Sequence, residues 1–119
     1  MKIHVTPLAR HDLREIEAYI KESYDNPTAA KRVAQKIIKS YKLLKTNPWL
    51  GVSLRLRYGI DTPVNMLISG KYLVFYEIEE DAKLIKIISV LHSKQDAVKK
   101  RFPDFQYDYD IDEEDLEHE

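Results

Sequence analysis

A histidine ends the most strand-like segment of this chain, and polar residues follow it. The segment runs from Leu84 to His92, and Ser93, Lys94 and Asp96 come next. Imidazole titrates near neutral pH, so a histidine at a strand end and among polar groups can donate a proton in a reaction. The structural alternative is that His92 caps the strand and bonds to a neighbouring loop. The residues alone leave both interpretations open.

Two arginines could add positive charge to such a site. Arg55 and Arg57 alternate along the segment Leu54–Tyr58, which the pattern predicts to be a strand. Successive side chains of a strand point to opposite faces, so both guanidinium groups are expected on one face. The simpler interpretation is that they form the solvated face of that strand.

The elements that would position these groups can be predicted from the pattern. Aromatic and β-branched residues dominate segments 71–78 and 84–92, and a charged turn separates them, which predicts an antiparallel hairpin. Thr6-Pro7 and Asn26-Pro27 are helix starts, each with a polar N-cap and a proline at the first helical position. Apolar residues at helical spacing follow each start: Ala9, Leu13, Ile16 and Ile20 in the first helix, and Ala30, Val33, Ile37, Tyr41 and Leu44 in the second.

The predicted fold is α+β. Short strands are expected at residues 2–5, 54–58 and 64–68 in addition to the hairpin. Two amphipathic helices need a surface to cover their apolar faces, and the sheet supplies it. We therefore expect an N-terminal strand and a helical hairpin packed on an antiparallel sheet of four or five strands. Tyr72, Phe75 and Tyr76 are expected in the core or in cross-strand packing rather than as a platform for stacking bases.

Charge divides the chain into a basic body and an acidic tail. The 119 residues have a net charge of -1, but all 19 Lys and Arg lie in residues 1–103, against 11 acidic residues, a net charge of +8. Residues 104–119 carry nine acidic residues and no Lys or Arg, a net charge of −9. A basic body favours polyanionic partners, either nucleic acid or an acidic protein segment. We expect one domain, residues 1–103, and a flexible tail, residues 104–119.

Several classes of protein are disfavoured. With no cysteine there is no disulfide framework or thiolate metal site. No apolar run approaches the roughly 20 residues of a membrane span, and the N-terminus has no signal-peptide pattern. His4 and His11 have no partner at ligand spacing. We expect a cytoplasmic protein that uses no metal and no cofactor.

The order of these elements resembles that of the RelE/ParE superfamily, the toxins of bacterial type II toxin–antitoxin modules. The resemblance covers residues 2–101. Its most specific parts are Tyr72-Leu-Val-Phe-Tyr76 and Val90-Leu-His-Ser-Lys-Gln-Asp96. It implies a toxin that arrests growth and that a cognate antitoxin neutralises.

RelE-like members of the superfamily are ribosome-dependent mRNA endoribonucleases. In their metal-independent reaction a 2′-hydroxyl attacks the adjacent phosphate, cations stabilise the developing charge, and an acid protonates the leaving oxygen. The resemblance implies that His92 is this acid. The chain itself offers Arg55 and Arg57 as the catalytic cations. The further candidates for phosphate contact are Lys45, Lys71 and Lys94.

The sequence departs from the RelE-like pattern at two positions. Asn65 and Ser89 stand where that pattern usually has arginines. Two alternatives therefore stay beside the nuclease: a ParE-like toxin that poisons DNA gyrase without catalysis, and an inactive member that acts only as a binding module.

Overall fold

The computed structural model of the protein describes residues 1–94 and 96–103. The elements, in chain order, are β1 (Lys2–Val5), α1 (Pro7–Tyr24), α2 (Pro27–Thr46), β2 (Val52–Ser53), α3 (Leu54–Tyr58), β3 (Asn65–Ser69), β4 (Tyr72–Glu79), β5 (Leu84–His92) and α4 (Asp96–Arg101). The α+β fold and the helical hairpin are confirmed. The predicted tail, residues 104–119, lies outside the described residues.

The five strands form one mixed sheet in the order β1-β5-β4-β3-β2. Neighbouring strands are antiparallel except for β1, which runs parallel to β5 and pairs from Lys2↔Leu84 to Val5↔Ile87. The prediction of a purely antiparallel sheet therefore fails for one strand. Parallel strands need a long crossover connection, and the chain between β1 and β5 includes the whole helical hairpin.

The two long helices begin where their caps predict. Thr6 Oγ1 accepts a hydrogen bond from Ala9 N at 3.2 Å, and Asn26 Oδ1 accepts one from Ala29 N at 3.0 Å. Their apolar faces pack on the sheet in a core made of Ala9, Ile16, Ile20, Ala30, Ile37, Tyr41, Leu44, Val74, Tyr76, Ile85, Ile87 and Val90. None of the helices in the described residues is long and apolar enough to cross a membrane.

A second, smaller core lies on the other face of the sheet. Its buried members are Leu54, Val64, Met66, Leu73, Phe75 and Leu91. Phe102, which follows α4, stacks on Phe75 with ring centroids 4.3 Å apart. Leu54 at the start of α3 is also fully buried. The segments that contain α3 and α4 therefore cover this face of the sheet.

The prediction of a strand at Leu54–Tyr58 is wrong, because this segment is the short helix α3. Its alternating Leu-Arg-Leu-Arg pattern mimics a strand, but local capping decides the conformation. Ser53 Oγ accepts from Leu56 N at 3.2 Å, and Gly59 ends the helix with a positive φ of 69°. Leu54 is buried whereas Leu56 is 88% exposed. Two residues of a helix differ by about 200° around its axis, so these leucines face opposite ways.

Candidate functional site

A cleft lies between the tip of the helical hairpin and the turn that joins β3 to β4. Two cavities of about 570 and 410 Å³ make up this cleft and share the side chains Tyr19, Tyr24, Tyr72 and His92. Three lysines, Lys36, Lys71 and Lys94, also line the two cavities, and among the described residues one acidic residue, Glu15, lines them. We call this surface, defined by these residues, the tyrosine cleft.

The turn and the strand ends hold the floor of the cleft in place. Gly70 has a φ of 60°, which a glycine adopts without strain, and this turn brings β4 back beside β3. Tyr72 pairs with His92 across β4 and β5. Beyond that pair, Ser93 N donates to Lys71 O at 2.8 Å, which ties the end of β5 to the turn. The imidazole and the Lys71 backbone are therefore fixed by the sheet itself.

His92 is half-buried and has well-defined neighbours. Its Nδ1 accepts a hydrogen bond from Lys94 N at 3.0 Å, and its ring meets that of Tyr72 edge to face, with centroids 5.3 Å apart. Partial burial, and then the charges of Lys71 and Lys94, lower the pKa of His92 below its ordinary value of 6.5. The ring is therefore neutral at pH 7, with its proton on Nε2, because Nδ1 is the acceptor.

The other rings of the cleft are more exposed. Tyr19 and Tyr24 are 64% and 68% exposed and meet each other edge to face with centroids 6.5 Å apart. Burial, and then the hydroxyls of Tyr24 and Tyr19, raise the pKa of Tyr72 above 10.0. A phenol hydroxyl can both donate and accept a hydrogen bond. With the surrounding amines, the three phenols suit an anionic ligand that also has apolar groups.

Two of the predicted phosphate contacts, Lys71 and Lys94, therefore lie beside His92. The third does not: Lys45 is on the last turn of α2, where its carbonyl accepts from the N-terminal amino group of Met1 at 3.3 Å. Lys36 of the same helix lines the cleft instead. Nine residues separate these lysines, which is about 14 Å along a helix.

Arg55 and Arg57 are far from His92. Ser53, which precedes α3, lies in the row of paired residues that includes Tyr76, whereas His92 pairs with Tyr72. Along the strands, the two rows are four residues of β4 apart, which is about 13 Å. Across the sheet, β2 lies three strands from β5, which is about 14 Å. The two backbones are thus about 20 Å apart.

The strand prediction placed the two arginines on one face. They lie on different faces, because α3 is a helix. Arg55 Nη2 contacts Asp61 Oδ1 at 3.4 Å on the surface. The structure therefore does not bring either arginine together with His92.

The positions of the two missing family arginines are buried. Asn65 is 7% exposed, and its amide nitrogen donates to Pro63 O at 3.5 Å. Ser89 is fully buried, and its hydroxyl bonds to Asp12 Oδ2 at 2.7 Å. Neither side chain faces the cleft lining, so neither position contributes to a ligand site there.

A buried ionic cluster surrounds Ser89. Asp12 Oδ2 accepts hydrogen bonds from Val90 N at 3.0 Å and from Arg101 Nη1 at 2.8 Å, and the same guanidinium nitrogen contacts Ser89 Oγ. We call these residues the Asp12 cluster. It joins α1, β5 and the end of α4 at a place where β1 no longer pairs with β5.

The sequence analysis missed the Asp12 cluster, although one signal was present. Asp12 lies three residues after Ala9 and four before Ile16, so it falls on the buried stripe of α1. A charged side chain on the buried face of a helix needs an oppositely charged or hydrogen-bonding partner, because burying an unpaired charge is costly. Nothing in the spacing indicates that Arg101 is that partner. In the described part of the chain, no group of three or more His, Asp or Glu residues could hold a metal ion.

Comparison with known proteins agrees with this fold. The family model described as the ParE toxin of type II toxin–antitoxin systems matches residues 3–97. The solved chromosomal ParDE toxin–antitoxin system from P. aeruginosa has a similar chain, with a TM-score of 0.64 and 20% identity over 79% of this chain and 97% of that one. The RelBE2 toxin–antitoxin complex from Mycobacterium tuberculosis also matches, with a TM-score of 0.58 and 19% identity over 76% and 95%. None of the curated proteins compared matches the sequence.

Proposed function

The chain belongs to the ParE toxin family of type II toxin–antitoxin systems, and on this premise we propose that it arrests growth without catalysis, by binding DNA gyrase through the tyrosine cleft. A cognate antitoxin is the partner that membership of this family implies. Gyrase is the target that the ParE branch of the superfamily suggests. The cleft is the surface whose chemistry suits a macromolecular ligand with acidic and apolar groups.

The observation that carries this proposal is the separation of the cationic candidates. A nuclease must hold several cations around one phosphate, because the developing charge is stabilised at short range. Arg55 and Arg57 start about 20 Å from His92. The positions of the two family arginines are occupied by buried, uncharged Asn65 and Ser89. Losing one oxyanion donor costs roughly 3 to 4 kcal/mol of transition-state stabilisation, so the loss of two disfavours efficient cleavage.

The protonation state of His92 supports the same proposal. A general acid works best when its pKa lies near the operating pH, because a large fraction of it is then protonated and it still releases its proton readily. Burial and the nearby lysines lower the pKa of His92 instead. A neutral imidazole can take part in a hydrogen bond without transferring its proton. In this proposal His92 therefore binds the target and transfers no proton.

A RelE-like nuclease is the second candidate, and one observation favours it. Lys71 and Lys94 lie close enough to His92 to affect its pKa, so a phosphate could be held beside the imidazole. The negative charge of that phosphate would raise the pKa of His92 and restore its acidity. In that case His92 would be the acid and the two lysines the phosphate contacts, on mRNA presented by the ribosome.

The order in which cellular processes stop distinguishes the two candidates. After induction of the toxin in bacterial cells, incorporation of labelled thymidine and of labelled leucine is followed, and the 5′ ends of mRNAs are mapped. A gyrase poison stops DNA synthesis first, leaves messages intact and traps gyrase on DNA. Early loss of protein synthesis, with new ends inside translated messages, would instead establish the nuclease.

A matched pair of variants tests whether the cleft is responsible. Lys71→Gln/Lys94→Gln removes two cleft charges, and Lys39→Gln/Lys42→Gln removes two from exposed positions of α2 outside the cleft. The first variant is expected to lose most of the growth arrest at equal amounts of folded protein. Equal arrest by both variants would contradict a role of the cleft in target binding.

A further inference from the structure

The larger cavity of the tyrosine cleft combines apolar, aromatic and cationic lining. Its volume is about 570 Å³, and its aliphatic lining consists of Ile20, Ala29, Val33 and Ile37. Among the described residues that line this cavity, none is acidic. Pockets of this size commonly take ligands through an apolar surface and a few polar groups that fix their orientation. The cavity therefore suits an anionic ligand that also has a flat apolar part.

Two lysines form a cationic end of this cavity, at the turn between β3 and β4. A Cβ added to Gly70 would lie 3.4 Å from Lys36 Nζ, so this amine of α2 reaches the turn. Lys71 follows Gly70 directly, and both lysines are exposed. Lys36 lies nine residues after Pro27, the first residue of α2, which is about 14 Å along the helix. The two amines are therefore set back from the hairpin tip and suit phosphate groups.

Two exposed tyrosine rings line the same cavity nearer the hairpin tip. Tyr19 and Tyr24 are 64% and 68% exposed, and Tyr24 is the last residue of α1. Their ring planes are 85° apart with centroids at 6.5 Å, so each ring keeps at least one face clear of the other. Tyr72 differs from them, because its ring meets that of His92. Exposed aromatic faces are the surfaces on which the bases of single-stranded nucleic acids stack.

We propose that the tyrosine cleft binds single-stranded DNA, with bases stacked on Tyr19 and Tyr24 and with phosphate groups held by Lys36 and Lys71. The inference deepens the proposed function, because it names the DNA of the gyrase complex as the ligand of the cleft. It rests on that function for the choice of DNA over RNA. An acidic protein segment would use the two amines and leave the ring faces without a partner. A duplex keeps its bases stacked inside, where the two rings do not reach them.

Titration of the full-length protein into fluorescein-labelled single-stranded DNA of about 12 nucleotides tests this proposal. Fluorescence anisotropy is expected to give a dissociation constant of about 10⁻⁴ to 10⁻⁶ M at physiological salt, and weaker binding of the duplex of the same sequence. No binding of the single strand, equal binding of the duplex, or tighter binding of RNA of the same sequence would overturn the proposal. Gyrase is not part of this measurement, so inhibition of gyrase by a protein that fails to bind the strand would leave the proposed function standing.

A pair of lysine variants tests the cationic end of the cavity. Lys36→Gln/Lys71→Gln is expected to reduce the slope of the logarithm of the association constant against the logarithm of salt concentration by about 1.4, because each phosphate contact on a single strand contributes about 0.7. Lys39→Gln/Lys42→Gln, on exposed positions of α2 outside the cleft, should leave this slope unchanged. An equal reduction in both variants would overturn the proposal, because binding would then follow net charge alone.

A set of aromatic variants tests the rings. Tyr19→Ala/Tyr24→Ala is expected to weaken binding by about fivefold or more without changing the salt slope, because stacking releases no counterions. Tyr19→Phe/Tyr24→Phe keeps both rings and should retain the binding. Trp49→Ala removes a ring that is 61% exposed outside the cleft and should have no effect. Undiminished binding by Tyr19→Ala/Tyr24→Ala would overturn the proposal, because the cleft would then accept any polyanion, an acidic protein segment included.

Discussion

Ser89 and His92 lie three residues apart on β5, and their surroundings are opposite. Ser89 is fully buried and bonds to Asp12 and Arg101, so the positive charge beside it is already matched by a carboxylate. His92 is half-buried at the strand end, where its burial and then the charges of Lys71 and Lys94 lower the pKa of its ring. Removing one partner of a buried ion pair is costly for stability, whereas cations at the edge of a cleft can attract an anionic ligand.

A second cation, Arg101, lies beside Ser89. Arg101 places a guanidinium group beside Ser89, where the RelE-like pattern has an arginine side chain. That guanidinium bonds to Asp12, which is 6% exposed. A partly buried guanidinium bonded to a buried carboxylate presents little charge to a substrate. The Asp12 cluster is therefore expected to act in stability, and the tyrosine cleft in binding.

The largest expected effect is on stability, at the Asp12 cluster. Asp12→Ala leaves Arg101, Val90 N and Ser89 Oγ without their common acceptor. Removing one partner of a buried ion pair is expected to lower the free energy of unfolding by about 3 to 5 kcal/mol. Denaturant unfolding of the purified protein measures this loss.

The matched control for that change removes both charges. Asp12→Ala/Arg101→Met is expected to be more stable than Asp12→Ala alone, because no partly buried guanidinium is then left without its carboxylate. Asp12→Asn, which keeps one acceptor oxygen, is expected to lie between the wild type and Asp12→Ala. A loss below about 1 kcal/mol for Asp12→Ala would show that the cluster is a surface pair in solution.

A smaller loss is expected at a neutral buried group. Tyr76 is fully buried; its hydroxyl donates to Pro48 O at 2.9 Å and accepts from Gly51 N at 3.0 Å. Tyr76→Phe leaves both backbone groups unpaired and is expected to cost about 1 to 3 kcal/mol. Unfolding followed by Trp49 fluorescence measures it. If Tyr76→Phe lowered the free energy of unfolding as much as Asp12→Ala does, the expected difference between a neutral and a charged buried group would be contradicted.

His92 is expected to matter for toxicity much more than for stability. His92→Ala removes a half-buried ring at a strand end and should change the free energy of unfolding by no more than about 1 kcal/mol. Growth arrest per folded molecule should fall, because the ring is part of the cleft. A large loss of stability with undiminished arrest would make His92 a structural residue, like Ser89.

The smallest expected effect is on the titration of His92. In NMR its pKa should lie below 6.5, and Lys71→Gln/Lys94→Gln should raise it, whereas Lys39→Gln/Lys42→Gln should not. Since the folded state holds the proton less tightly than the unfolded state, this histidine's contribution to stability is present above pH 6.5 and is lost as the pH falls through the lowered pKa. A pKa of 6.5 or above would contradict the assignment of a desolvated ring among cations.

The sequence predicts the parts of this fold that local signals control. The caps at Thr6 and Asn26 start α1 and α2, and the runs at Tyr72–Glu79 and Leu84–His92 form strands. At Leu54–Tyr58 periodicity and capping disagree, and the caps prevail in so short a segment. The strand at this edge of the sheet is formed by the two residues that precede the segment, Val52–Ser53.

The candidate site is predictable only in part, because it is built from distant segments. His92, Lys71 and Lys94 lie near one hairpin end, so the pattern of β4 and β5 was enough to indicate them. Tyr19, Tyr24 and Lys36 reach the cleft only because α1 and α2 pack on the sheet as they do. The pairing of Asp12 with Arg101 spans 89 residues and depends on where α4 lies, which no local pattern encodes.

The most direct test of this account is DNA supercoiling by purified gyrase in the presence of the purified toxin. We predict inhibition by the wild type and by Arg55→Gln/Arg57→Gln, and strongly reduced inhibition by Lys71→Gln/Lys94→Gln. The reason is that the cleft holds the two lysines, whereas α3 holds the two arginines about 20 Å away. Inhibition that depends on the arginines and survives the loss of the lysines, or no inhibition by the wild type, would contradict the account.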